Sequence, residues 1–235
     1  PPRSTPKPSS AASDVYKRQV LDAGDGIYKL DKYIKENKPI YIFLTHFHLE
    51  HINGLHILSK FNFKQSVRII GKPGTKKIVK LIANYPFTEK LSNLPYKVKV
   101  IEIDEGYHAK PIEFKCKLLP HPDKSLGYRF EIDEKIITYC TDTGRCRQVI
   151  ELARNADLFI CECTYRSGES SSEWPHMNPE DAAETAKIAK SKKLVLTHFA
   201  ANKYPTILSR KKAGHVARKI FKNTIVAIDG LVIKI

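Results

Sequence analysis

Seven consecutive residues, Thr45-His46-Phe47-His48-Leu49-Glu50-His51, constrain this chain more than any other stretch. They follow an apolar run, Tyr41-Ile42-Phe43-Leu44, and precede Ile52-Asn53-Gly54. If Ile40 to Leu44 is a buried strand, His46 and His48 share the spacing that puts alternate side chains on one side. Glu50 and His51 then sit on the turn into the next helix. Neutral imidazole is the commonest zinc ligand, and a carboxylate among histidines suits a catalytic site better than a closed structural one. One histidine here would read as an exposed loop residue. Three with a carboxylate read as a metal-binding motif.

Other polar residues stand where strands are expected to end. His121 follows Lys117-Leu118-Leu119-Pro120, Asp142 follows the run from Ile136 to Thr141, and His198 follows Leu194-Val195-Leu196-Thr197. A rigid sheet holds such residues in place, as a preorganised metal site needs. Each alone could be a satisfied loop residue, but the placement recurs three times.

The pattern of elements agrees with an α+β chain. Strands are expected near 97–103, 112–119, 126–132 and 135–140, with hairpin punctuation at Asp133-Glu134. Earlier, Val20 to Gly26 reads as a strand end entering a turn. A helix over 27–36 would bury Ile27, Leu30, Tyr33 and Ile34, and a second would run from Ile52 to Lys60 with His56 as a packed or surface residue. A strand at 67–71 precedes a helix from Thr75 to Asn84, with Thr75 as its N-cap and Ile78, Val79, Leu81 and Ile82 for burial. Later, helices at 145–154, 179–191 and 206–222 alternate with strands at 158–163, 194–197, 224–228 and 231–235. Asn178, Pro179, Glu180 and Asp181 form a strong helix start.

Residues 1–19 are rich in Pro, Ser and Ala without periodicity, the composition of a disordered tail, and resemble translated linker sequence. Arg3, Lys7, Lys17 and Arg18 against Asp14 give this tail a net +3. On that reading the folded domain spans 20–235 and genuine N-terminal strands are missing. No apolar run approaches the ~20 residues of a membrane span, and no signal peptide is evident. The five cysteines show no zinc-finger spacing, and their number is odd. A reduced, cytoplasmic setting follows. Cys161 and Cys163, flanking Glu162 in one strand, read as small buried apolar residues. The net charge of +15 is diffuse and suits a polyanionic partner such as RNA without proving contact.

The succession THFHLEH, His121, Thr141-Asp142-Thr143-Gly144 and Leu196-Thr197-His198-Phe199 resembles the ligand motifs of the metallo-β-lactamase superfamily of binuclear metal hydrolases. The turn Ala227-Ile228-Asp229-Gly230 is similar to that family's C-terminal one, so the resemblance runs from about Val20 to Ile235. It implies an αβ/βα sandwich, two mixed sheets flanked by helices. It also implies that His46, His48 and His121 hold one divalent metal, that Glu50, His51 and His198 hold another, and that Asp142 bridges them. Zinc is the expected ion, with manganese as the alternative.

Within the superfamily, Ser125-Leu126-Gly127-Tyr128-Arg129, Glu162-Cys163-Thr164-Tyr165, His176 and Tyr204 resemble the ribonuclease Z branch, which trims the 3′ side of precursor tRNA, and its phosphodiesterase relatives. This implies phosphodiester hydrolysis by a two-metal-activated hydroxide, with RNA, a tRNA precursor or a nucleotide as substrate and a homodimer as the working unit. It makes His176, held by Glu162, the general acid and Glu50 a residue that orients or receives a proton. Lys203 and Tyr204 are candidates for touching phosphate. The chain departs from that branch twice. Glu50 stands where the family carries Asp, and only 21 positions separate His121 from Asp142, where the nucleases commonly insert a tRNA-gripping arm. The alternatives are an ester or thioester hydrolase of the same fold, or a metal- or RNA-binding module without catalysis.

Overall fold

The computed structural model of the chain describes residues 19–34, 37–110 and 112–235. The expected tail therefore lies outside the described residues except for Gln19, which belongs to the first strand. The chain holds two compact units, the first ending at Asp104 and the second running from Glu105 to Ile235.

The first unit is built on a four-stranded sheet of β1 (Gln19–Leu21), β2 (Ile40–Phe43), β3 (Val67–Gly71) and β4 (Val98–Glu102), in that spatial order. All three pairings are parallel, with Leu21 opposite Phe43, Ile42 opposite Ile69 and Ile69 opposite Val100. The four residues of β2 are all buried. An unbroken apolar run with no alternation is the signature of a parallel strand covered on both faces. Helices α1 (Leu30–Tyr33), α2 (Leu49–Ile52) and α3 (Thr75–Ile82) accompany the sheet. Ile27, Leu30, Ile42, Leu55, Leu58, Ile69 and Val79 share its core.

Several expectations change here. The helix expected over 27–36 is a 3-10 turn at Asp25–Lys29 followed by the single turn α1, and residues 35–36 lie outside the described residues. That change of winding leaves Tyr33 65% exposed, because 3-10 geometry advances each residue by 120° instead of 100° and shifts the apolar stripe. Likewise α2 passes into a 3-10 segment at Asn53–Lys60, and His56 is exposed. Thr75 is not the N-cap of α3. Gly74 is, at φ 98°, and the Thr75 hydroxyl donates instead to the Lys72 carbonyl at 2.6 Å. The N-terminus is satisfied from β4, where the Glu102 carboxylate accepts the N–H groups of Gly74 (3.0 Å) and Lys76 (2.9 Å). An anion there also complements the helix dipole. Of the four apolar residues expected to be buried on α3, Val79 is, whereas Leu81 faces solvent.

The second unit holds a seven-stranded sheet in the order β11-β10-β9-β8-β7-β6-β5. Its first part is an antiparallel meander of β5 (Gly106–His108), β6 (Phe114–Leu119), β7 (Ser125–Ile132) and β8 (Lys135–Cys140). Asp133 and Glu134 make the β7–β8 turn with φ of 48° and 63°, the double left-handed conformation that matches the twist of a two-residue hairpin. From β8 onward the strands β9 (Leu158–Glu162), β10 (Leu194–Thr197) and β11 (Thr224–Val226) pair in parallel. The connections are helices α4 (Arg147–Ala153), α5 (Pro179–Ile188) and α6 (Ile207–Ile220). Mixed pairing is thus confined to this sheet. Asn178 caps α5 as expected, its side chain accepting from Asp181 N–H at 2.8 Å, and Thr206 with Ser209 forms a capping box on α6. Strand β5 is too short to carry a periodic signal and escapes the sequence. No strand forms at 231–235, where Leu231 and Val232 are exposed. No helix among the described residues is long and apolar enough to cross a membrane.

One packing feature bears directly on the site. Residues 22–26 lie backbone to backbone against residues 50–54, with Ala23 N–H donating to the His51 carbonyl (2.8 Å) and Gly54 N–H to the Ala23 carbonyl (2.7 Å). A Cβ on Gly54 would fall 2.3 Å from the Gly24 carbonyl oxygen and 2.7 Å from that of Ala23. Gly54→Ala is therefore expected to lower stability by about 1–3 kcal/mol through overpacking, measured as a reduced urea midpoint at unchanged slope.

Candidate metal centre and acid site

In the first unit the candidate ligands leave the end of β2. The His46 ring centroid lies 4.5 Å from that of His48 and 4.4 Å from that of His51. His46 and His51 are buried, His48 is half-buried and Glu50 is exposed. Beneath them sits a residue that sequence reasoning assigned no role, Asp22. Its buried carboxylate accepts from Thr45 N–H (2.7 Å), from the Thr45 hydroxyl (3.0 Å to each oxygen) and from His51 Nδ1 (2.8 Å). Because the Thr45 hydroxyl proton goes to Asp22, the His46 Nδ1–H must donate to Thr45 Oγ1, 3.1 Å away. Both imidazoles are thereby fixed in the tautomer that presents an Nε2 lone pair.

In the second unit, His121 follows β6, Asp142 follows β8 and His198 follows β10. His198 Nε2 is 3.4 Å from Asp142 Oδ2. The Thr164 hydroxyl donates to the His198 carbonyl (3.1 Å), so His198 Nδ1–H donates to Thr164 Oγ1 (3.0 Å). Again Nε2 keeps its lone pair. The Thr141 hydroxyl donates to Asp142 Oδ2 at 2.5 Å. Asp142, His176 and His198 each offer a ligand atom within 4.8 Å of the others.

His176 is anchored by Glu162. Its Nδ1 lies 2.8 Å and 3.0 Å from the two oxygens of that fully buried carboxylate, which also accepts the N–H groups of Thr143 (2.5 Å), Met177 (3.2 Å) and Thr164 (3.4 Å). The ring is boxed by aromatic neighbours, with His121 at 5.1 Å and Tyr165 at 5.6 Å between centroids. Such a carboxylate, holding an imidazole by hydrogen bond from below, fixes both its orientation and its tautomer.

Asp22, Asp142 and His198 share a backbone feature, φ values of 61°, 52° and 51°. Left-handed conformations cost non-glycine residues of order 1 kcal/mol or more and gather at functional sites. Each turns the chain sharply just past a strand end. The strand-end placement that singles out Asp142 and His198 marks Asp22 as well, in Leu21-Asp22-Ala23-Gly24.

The remaining expectations resolve by burial. Tyr204 is 4% exposed and its hydroxyl donates to the Tyr165 carbonyl at 2.6 Å. Its ring is buried and its hydroxyl satisfied, and it also lines a cavity with Lys203 and Arg166. Lys203 is half-buried, paired with Glu169 at 2.7 Å and placed over the Tyr165 ring at 5.1 Å. Cys161 and Cys163 are fully buried as expected. Burial pushes the Cys163 thiol up to about 12 and that of Cys161 well above its usual range, so neither offers a thiolate to a metal.

The donor set fits a divalent metal on this structure's own terms. His46, His51 and His198 each have Nδ1 tied outward to a threonine or carboxylate, the arrangement that orients metal-binding imidazoles. Residues 18–199 match the family model described as the Beta-lactamase superfamily domain. The chain belongs to the beta-lactamase superfamily. Among the superfamily's curated proteins, the ribonuclease Z of Microcystis aeruginosa is 28% identical, over 90% of this chain and 85% of that protein. The ribonuclease Z of Clostridium kluyveri is also 28% identical, over 91% and 87%. Solved structures with the same fold include the metallo-beta-lactamase fold protein YhfI from Bacillus subtilis, at TM-score 0.71, 21% identity and coverage of 92% of this chain and 87% of that one. Human tRNase Z, short form, gives TM-score 0.65 at 22% identity, with the same coverage. The fold class expected from the sequence, α+β with two sheets flanked by helices, stands.

Proposed function

We propose that this superfamily member is a metal-dependent hydrolase of phosphodiesters. The observation that carries this reading is His176, held by the buried Glu162 and placed beside Asp142 and His198. A thioester's thiolate leaves without protonation, whereas a phosphodiester's alcohol leaves more readily when an acid protonates it. In this reading His46, His48, Glu50, His51, His121, Asp142 and His198 are the ligands of two divalent ions, zinc first and manganese second. Bound there, the ions would lower the pKa of water and neutralise phosphate charge.

The protein's own groups divide the remaining work. Glu162 keeps His176 Nδ1–H engaged, so the proton given to the leaving oxygen comes from Nε2. Glu50, exposed at the start of α2, receives the proton of the attacking water. Asp22 and Thr164 hold the histidines against rotation. Lys203, at the edge of this region, supplies positive charge near a phosphate.

Two observations bear on which phosphodiester is cut. The 21 positions from His121 to Asp142 are filled by the β7–β8 hairpin with its two-residue turn. The alignment to the Microcystis aeruginosa relative spans 273 positions against the 235 residues of this chain, so that relative carries stretches without a counterpart here. We therefore favour single-stranded RNA or a nucleotide over a folded tRNA gripped by an arm. The homodimer implied by resemblance is checked by light scattering.

The deciding test is metal depletion and restoration on a substrate panel. Cleavage of an aryl phosphodiester is expected to vanish with chelator and return with zinc or manganese. Thioester or carboxylic ester cleavage without any phosphodiester turnover would sink the reading.

A further inference from the structure

We infer that the outer face of α6 is a docking surface for the phosphate backbone of single-stranded RNA. The choice of ligand rests on the phosphodiesterase reading. The surface itself rests on charge and packing. Between Phe199 and Ile228 the chain has no Asp or Glu, while α6 and the turn after it carry Arg210, Lys211, Lys212, Arg218, Lys219 and Lys222. Residues 51–88 are acid-free as well, but there the Glu102 carboxylate sits at the start of α3, 3.9 Å from the Lys76 ammonium, whereas among the described residues no carboxylate pairs with Lys211, Lys212 or Lys219 of α6.

The helix sorts these residues onto one side. Ala213, Gly214 and Ala217 are buried, and Val226 of β11 approaches so closely that a Cβ on Gly214 would fall 2.3 Å from its methyl. That face is committed to the unit's own core. Lys211, Lys212, His215 and Lys219 are exposed, and their spacings of three and four align them along the opposite face, while the Arg218 guanidinium turns back beside Gly214 to donate to the Thr224 carbonyl at 3.2 Å. At 1.5 Å per residue the stripe is about 12 Å long. A membrane is the poorer partner for it. Exposed apolar side chains on α6 are confined to its first turn, at Ile207 and Leu208, and a bilayer-bound helix needs a continuous apolar face.

The stripe leads toward the acid site. Arg210 lies over the ring of Phe199, 5.8 Å from its centroid, and Phe199 adjoins His198. At the same end a cavity of about 380 Å³ is lined by Tyr204, Pro205 and Val216 together with Arg166, Lys203 and Lys212. Its apolar floor and cationic rim suit a base with its phosphates. Tyr165, whose ring meets His176 at 5.6 Å, carries the Lys203 ammonium on its other contact. A strand laid along α6 would thus reach His176 with no insertion arm.

The test compares two triple variants with equal loss of charge. One is Lys211→Gln, Lys212→Gln and Lys219→Gln on α6. The other is Lys76→Gln, Lys77→Gln and Lys80→Gln on α3, all exposed. Binding of labelled oligoadenylate is read by anisotropy across a salt series. The α6 variant is expected to bind about tenfold more weakly, with its log–log salt slope reduced by about 2, since each lost phosphate contact on a single strand removes about 0.7. The α3 variant is expected to stay within twofold, and both should cleave a small aryl phosphodiester like the parent protein. Equal weakening in the two variants, or no weakening in the α6 variant, would overturn the inference. So would capture of the parent protein by phosphatidylserine vesicles in preference to the oligonucleotide. Loss of α6-dependent binding in a protein that cleaves no phosphodiester would instead retain the surface and discard the proposed reaction.

Discussion

His176→Ala is expected to slow cleavage of a phosphodiester with a basic alcohol leaving group by about 10²–10⁴-fold, the usual contribution of a positioned general acid. A 4-nitrophenyl ester should lose less than about tenfold, because a stable phenolate leaves without being protonated. KM and metal content should hardly change. The contrast matters because His176 stands within 4.8 Å of Asp142 and His198 and so could be argued into the ligand set instead. Equal losses for both leaving groups, accompanied by lost metal, would assign it there. Glu162→Gln separates anchoring from acidity. The carboxylate accepts three backbone N–H groups as well as the imidazole, and an amide offers one acceptor oxygen and a competing donor. Its activity loss should resemble that of His176→Ala, with a lower urea midpoint in addition.

The second large effect is expected at Asp22. Asp22→Ala removes the acceptor of Thr45 N–H, the Thr45 hydroxyl and His51 Nδ1. Stranding buried donors of this kind costs on the order of 3 kcal/mol, and alanine tolerates φ of 61° poorly. Asp22→Asn isolates the site effect, since asparagine accepts the left-handed conformation and keeps one acceptor oxygen. Stability should largely recover. Metal affinity should still fall by about 10–100-fold, as it does when the group orienting a metal-binding histidine is lost. Competition with a zinc-chelating dye gives that number directly. Unchanged zinc affinity in Asp22→Asn would remove Asp22 from the centre's support and leave it a purely structural cap.

These two sites mark where local sequence stops being informative. His46, His48 and His51 stand out because three imidazoles crowd into six residues after a continuous apolar strand. Asp142 and His198 stand out because each ends a strand. Asp22 ends one too, yet its value comes from accepting Thr45 and His51, more than twenty positions away. Its partners are set by the parallel pairing of β1 with β2, which no window of adjacent residues contains. At Tyr204 the adjacent residues say nothing of burial, and only packing reveals that its ring is buried and its hydroxyl donates to the Tyr165 carbonyl. The helix expected at 27–36 fails for another reason. Its apolar spacing fits a 100° step, but the turn at Gly24 starts the segment in 3-10 winding, and Tyr33 rotates out of the core.

By itself the sequence determined the α+β alternation, the bounds of β3 and β10, the Asn178 cap, and the residue types that equip the chain for divalent metals. Each is a local matter of periodicity, capping or side-chain chemistry, and each survives whatever the rest of the chain does. Tertiary structure alone decided that Asp22 and Thr164 lock the imidazole tautomers and that Glu162 holds His176. It also decided that Asp22, Asp142 and His198 bear left-handed backbone, and that Lys211, Lys212 and Lys219 of α6 share one exposed face. The physical reason is common to all four. Hydrogen-bond partners, strained φ values and the choice of a helix's buried side are fixed by groups that become neighbours only when strands distant in sequence pair and helices close over them.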